Sequence, residues 1–246
     1  MISLKLIGIG TGDPAHLTGE AVRVLNAADL ILLPRKDNAA ELADLRRRVC
    51  DAVLTRDVPM VAFDMPVRSG AGGYLQAVRD WHDAIAVAWR STIDAHLPDG
   101  GTVALLVWGD PSLYDSTLRI AARLPGMDVS VVPGITSIQL LTAAHAIPLN
   151  PLAGAVLITT GRLLRAHGWP AGADTIVVML DGGCAFEMLE PGGLHIWWGA
   201  YLGMPQQALD HGPLAEAGPR ILATRADLRA RHGWIMDVYL LRKDSQ

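Results

Sequence analysis

Apolar positions along the chain alternate between two patterns. Short, mostly apolar runs at 3–9, 30–33, 58–63, 102–107 and 129–132 read as strands, the second stopped by Pro34. Between them lie stretches whose apolar residues recur every three or four positions, the spacing of one helical face. These predict helices over 17–28, 74–96, 114–124 and 137–146, and a polar stretch rich in Ala, Leu and Arg reads as another over about 39–48. The longest, 74–96, carries Tyr74, Val78, Trp81, Ile85, Trp89 and Ile93 as one stripe. Thr18 is placed to cap the first helix, with Glu20 in its first turn. Strands that alternate with helices in this way predict a mostly parallel sheet covered on both faces.

The rhythm breaks at Ile147-Pro148-Leu149-Asn150-Pro151, where two prolines resist helix continuation. Beyond it, strands are expected at 155–159, 175–180, 195–198 and 235–241, and a helix at 225–232. The expectation is an α/β protein of two domains, 1–147 and 148–246, with a ligand cleft between them.

Half of the residues are hydrophobic and the mean hydropathy is +0.27, enough for a sizeable core. No apolar run approaches the ~20 residues of a membrane span, and the N-terminus has no signal-peptide pattern, so a cytoplasmic protein is expected. Cys50 and Cys184 stand far apart and the eight histidines show no ligand spacing, so neither a disulfide framework nor a metal is expected. A net charge of -4 argues against nucleic acid. Lysine is scarce, with Lys5, Lys36 and Lys243 alone; the other 18 of the 21 basic residues are arginine. The arginine fork suits bidentate capture of carboxylates, which leaves a polyanionic small molecule open.

Three loops follow predicted strands. Gly8-Ile9-Gly10-Thr11-Gly12-Asp13-Pro14 leaves the first. A dinucleotide fingerprint would open directly into a helix, whereas here Asp13 and Pro14 intervene and a carboxylate would face the pyrophosphate. Trp108-Gly109-Asp110-Pro111-Ser112-Leu113-Tyr114 leaves the fourth strand, and Pro133-Gly134-Ile135-Thr136-Ser137 the fifth. At the carboxyl ends of parallel strands such loops converge on one crevice. Asp110 suits a ribose or ammonium group, or a plain turn; Thr136 and Ser137 suit a ligand carboxylate, or simple capping. No GxSxG elbow and no Walker lysine is present.

In this order and spacing the loops at 8–18, 109–114 and 133–137 resemble the tetrapyrrole methylase family. Gly10-Thr11-Gly12, where the family usually has a proline between the glycines, looks like the branch that methylates carbon 1 of a precorrin with loss of an acetyl group. The resemblance implies two α/β domains, a mostly parallel N-terminal sheet and a mixed C-terminal one, with S-adenosylmethionine in the interdomain cleft and S-adenosylhomocysteine as product. It assigns cofactor contacts to Trp108, Gly109, Asp110, Leu113, Tyr114, Thr136 and Ser137, and, from the second domain, to Met179, Leu180, Tyr201 and Leu202. It also implies a small-molecule tetrapyrrole substrate and a homodimer.

Loss of an acetyl group to water would profit from a general base, for which Asp13, Asp115, His145 and Asp181 are candidates. Each has a bland reading too: turn, helix cap or core histidine. Arg68, Arg119, Arg162 and Arg165 are candidates for holding the substrate carboxylates. The competing readings are a methylase of different regiochemistry, a methyltransferase acting on protein or RNA, and a non-catalytic tetrapyrrole carrier.

Overall fold

Strands buried on both faces need near-continuous apolar runs, and in the computed structural model the runs of the first half lie side by side. Residues 1–35, 40–68 and 73–244 are described, without the side chains of 40–43. Strands β1 (Ile2–Gly8), β2 (Leu30–Arg35), β3 (Met60–Asp64), β4 (Gly101–Val107) and β5 (Met127–Val132) form a parallel sheet in the order β3-β2-β4-β1-β5. The two-residue period of the strands divides the core. Leu4, Leu6, Leu32 and Leu105 face helices α3 (Tyr74–His96) and α4 (Thr117–Ala121). Ile7, Ile31, Leu33 and Leu106 face α1 (Gly19–Ala27) and α2 (Ala40–Val53). Thr18 caps α1 as expected, its hydroxyl accepting the Ala21 N–H at 3.1 Å.

The second unit contains α5 (Ser137–Ala144), β6 (Val156–Thr160), α6 (Gly161–His167), β7 (Thr175–Met179), β8 (Leu194–Ala200), β9 (Ala208–Pro213), α7 (Leu214–His232) and β10 (Asp237–Lys243). Its sheet runs β6-β7-β10-β8-β9; only β6 and β7 pair in parallel, so the sheet is mixed. Since β10 runs antiparallel to both β7 and β8, the strands β6, β7 and β8 end at the same edge. The two compact units are Met1–Thr136 and Ser137–Gln246. Helix α5 packs on β8 and β10, with Leu141 against Gly199, so the division precedes α5, whereas Pro148 and Pro151 suggest one after it.

Several elements differ from their sequence expectations for identifiable reasons. Pro34 does not stop β2. The Ile31 N–H donates toward β3, so the alternate position 34 turns its missing N–H to the other side, where pairing with β4 has ended at Leu32. Position 39, where the sequence begins its second helix, lies outside the described residues. The helix expected over 114–124 shrinks to Thr117–Ala121, because Tyr114 has φ 49°, a left-handed conformation no helix contains. On α3 the buried stripe keeps Ile85, Trp89 and Ile93 but starts from Ala77 and His82, leaving Tyr74 exposed. Strand β9, helix α6 and the first half of α7 carry no clear period and are absent from the sequence reading. Among the described residues no helix is long and apolar enough to cross a membrane.

Candidate active site

Because β4 and β5 flank β1 in parallel, the three glycine-containing loops leave one edge of the first sheet. The first two are stitched together by backbone: the Gly109 N–H donates to the Gly10 carbonyl at 2.7 Å, and the Gly10 N–H to the Gly109 carbonyl at 3.3 Å. The third presses against both. A Cβ on Gly134 would lie 2.1 Å from the Gly109 oxygen, and one on Gly8 would lie 2.6 Å from the Gly134 nitrogen. These glycines are required by close approach of backbone to backbone.

Asp110 closes the cluster. Its Oδ2 accepts the Gly134 N–H at 2.9 Å, and its Oδ1 accepts the Ser112 N–H at 2.8 Å and the Ser112 hydroxyl at 2.5 Å. Burial opposes the charge, but the bonds from Ser112 and Gly134 outweigh it and hold the carboxyl below its usual range. The Asp110 carboxylate is thus spent on joining two loops. Trp108 and Leu113 are half-buried and Tyr114 is exposed, so an aromatic and apolar rim borders this scaffold.

Backbone strain marks the same candidates. Six non-glycine residues have positive φ among those described, and three of them are Tyr114, Leu180 and Tyr201, at 49°, 51° and 48°. Bulky residues in that region cost roughly 1–3 kcal/mol each, and such strain gathers at functional sites. Leu180 is 65% exposed, an apolar side chain presented to solvent at the end of β7. Tyr201, at the end of β8, is buried instead: its hydroxyl donates to the Trp234 carbonyl and its N–H donates to Met236 at 2.8 Å. Leu202 is also buried, and Met179 is half-buried. Residues 161–162, 179–181 and 201–202 therefore share one edge of the second sheet.

Asp181, a candidate base on sequence grounds, is an anchor of the second unit. Its carboxylate, 5% exposed, accepts the Tyr239 hydroxyl at 2.7 Å and the N–H groups of Ala185 and Gly183 at 2.5 and 3.1 Å. Arg165 donates to it at 2.6 Å, which removes that arginine from the candidates for substrate binding. Beside it Arg225 donates to the Asp181 carbonyl and pairs with Asp237 at 2.8 Å, and the Trp198 indole N–H also donates to Asp237. Nothing in the local sequence announces the side-chain partners, which come from four elements, α6, α7, β8 and β10.

The other candidate bases divide. Asp13 and Asp115 sit on the loops of the first unit, each capping a turn by accepting the N–H of Ala15 or Thr117. His145 lies elsewhere, beyond the end of α5. Its Nε2 is 3.0 Å from the Trp198 carbonyl and so carries the proton, and its ring packs edge-on to His211. It is half-buried, and partial burial lowers its pKa. Arg68 lies over the Tyr74 ring, Arg119 donates to the Asp115 carbonyl at 2.8 Å, and Arg162 is exposed at the start of α6. Sequence reasoning also missed Arg46, whose guanidinium lies 4.8 Å above the Trp108 ring. Among the described residues no group of three or more His, Cys, Asp or Glu could hold a metal ion.

Comparison with known proteins agrees with this layout. The model of the tetrapyrrole (corrin/porphyrin) methylases matches residues 3–218. A precorrin-6A synthase [deacetylating] from Sinorhizobium sp. is 46% identical, with 99% of this chain and 96% of that protein covered. A precorrin-2 C(20)-methyltransferase from the same source is 32% identical over 70% of each chain. A crystal structure of a cobalamin-synthesis-related protein, CobF, from Corynebacterium diphtheriae superposes with a TM-score of 0.86 at 41% identity, each chain fully covered. A uroporphyrin-III C-methyltransferase from Thermus thermophilus, solved with S-adenosylhomocysteine, shares the fold at a TM-score of 0.60 and 21% identity, covering 98% of this chain and 92% of that one.

Proposed function

Since the chain belongs to the tetrapyrrole methylase family, we propose that it moves a methyl group from S-adenosylmethionine to carbon 1 of precorrin-5, with loss of the acetyl group there as acetate, giving precorrin-6A. The observation that carries this reading is the near full-length similarity to a deacetylating precorrin-6A synthase. The residues present suit the cofactor. Glycine loops packed backbone to backbone meet a rim of Trp108, Leu113 and Tyr114, and the carboxylate of the second loop, Asp110, is engaged by Ser112 and Gly134.

The bound sulfonium supplies an already electrophilic methyl group, so the protein needs no strong nucleophile. Its task is to desolvate and align the reactants, which can contribute on the order of 7–11 kcal/mol. We assign this to the backbone of 108–114 and to Thr136, with Ser137, Met179, Leu180, Tyr201 and Leu202 as further cofactor contacts. Addition of water to the acetyl carbon and cleavage of its bond to carbon 1 would release acetic acid and leave the electron pair on the macrocycle. That pair would take the methyl as the methyl–sulfur bond breaks and S-adenosylhomocysteine leaves. Asp13 or Asp115 is the base that takes the proton from water. Arg68, Arg119 and Arg162 are assigned to the substrate carboxylates. A cytoplasmic homodimer fits this reading.

The test is mass spectrometry of the tetrapyrrole after incubating precorrin-5 with methyl-labelled S-adenosylmethionine, with acetate assayed in parallel. One labelled methyl gained per acetate released is the expected result. A methyl gained without acetate would move the acceptor carbon, and binding of tetrapyrrole with neither change would leave a carrier. The base is then assigned by D13N and D115N, one of which should lower acetate release about 100-fold or more.

A further inference from the structure

One turn of α2 touches two of the three glycine-containing loops. Leu45 packs on Gly12, where an added Cβ would lie 2.7 Å from its methyl carbon. The next residue, Arg46, reaches the other way. Its Nε donates to the Leu106 carbonyl at 3.3 Å, at the last turn of β4, and its guanidinium stacks 4.8 Å over the indole of Trp108, the first residue of the loop. The opposing charge acting on it is that of Asp115, just past the far end of the same loop. Arg46 is half-buried, and its partial burial lowers the guanidinium to about 10. A cation over an indole face gains more as water is withdrawn from it, and the planar arginine fork can stack on a ring while donating sideways to a carbonyl.

We propose that Arg46 is a positioning residue of the methyl-transfer site, clamping Trp108 and the 108–115 loop in the arrangement that receives the cofactor. The inference rests on the reading of that loop as the S-adenosylmethionine site. It predicts an effect on cofactor affinity that passes through Trp108, which a merely structural arginine would not show.

The experiment is a double-mutant cycle read by calorimetric titration with S-adenosylhomocysteine, with the thermal midpoint recorded for each variant. R46M, which keeps the length and removes the charge, should raise Kd about tenfold or more. R46K, which keeps a cation over the ring, should recover part of that loss. In a W108L background the same R46M change should cost less than about threefold, since the partner is gone. An undiminished cost in both backgrounds would overturn the role through Trp108, as would R46M binding within about twofold of the parent. Parent protein that binds neither S-adenosylmethionine nor S-adenosylhomocysteine would overturn the cofactor reading and this inference together.

Discussion

Gly134→Ala is expected to lower the rate of methyl transfer about 100-fold, the scale of loss that a misplacement of about 1 Å at a reacting centre produces, and to weaken S-adenosylhomocysteine binding with it. Gly134 does not occupy a left-handed conformation, so alanine is allowed there by backbone torsion, and at such a site the change would ordinarily stabilise the chain slightly. What forbids it is space. The added carbon would lie 2.1 Å from the Gly109 oxygen and 2.7 Å from the Gly8 carbonyl carbon, and backbone has no rotamer to turn away. The three loops must part, stretching the Asp110–Gly134 bond and the Gly10–Gly109 pair. Overpacking of this kind costs about 1–3 kcal/mol of stability. Gly192→Ala is the control: nothing lies within 4 Å of its Cβ position, and both affinity and stability should hold. If G134A bound the product as the parent does and melted at the same temperature, the close approach of the loops would not be what forms the site.

Asp181→Asn carries the second large effect, on the second unit. The carboxylate accepts four hydrogen bonds, two at each oxygen, from Tyr239, Ala185, Arg165 and Gly183. An amide has the same shape but one accepting oxygen, and its NH2 would face two donors. Removing one partner of a buried, bonded charge costs about 3–5 kcal/mol, or roughly 10 °C in the thermal midpoint for a chain of this size. The pH dependence has a definite sign. Burial opposes the Asp181 charge, but the bonds from Tyr239, Ala185, Arg165 and Gly183 prevail and hold its pKa below the ordinary 3.8. Its contribution is therefore complete at neutral pH and is lost only as pH falls through the folded-state value. The gap in thermal midpoint between parent and D181N should stay constant from about pH 8 to pH 5 and narrow below about pH 4. A gap that narrows toward alkaline pH instead would mean that another group holds the network.

Where local pattern decides the outcome, the sequence is readable. Tyr74–His96 has the bounds its periodicity predicts, and the apolar runs of the parallel sheet are strands within a residue or two of their expected ends. The family, the two α/β units and the loop cluster were legible because the glycines and Asp-Pro turns stand in sequence beside the strands that carry them. What failed depends on distant partners. Pro34 reads as a strand stop until the loss of β4 beside it is known. Asp181 resembles a base because its four donors come from residues up to 58 positions away. Tyr114 resembles a helical residue because only the tertiary fold holds it at φ 49°. Arg46 carries no motif, and its meaning arises from the ring it covers.

The passage from one unit to the next, at Thr136–Ser137, occupies a single peptide bond and no spacer. A reading frame that ended at the proline-rich turn would carry Ile138 and Leu141 of α5 without the strands that cover them, and so would expose a greasy helix rather than a finished half. Recombination that traded C-terminal halves between relatives with different acceptor carbons thus has a seam, immediately before Ser137, at which each hydrophobic core is inherited whole.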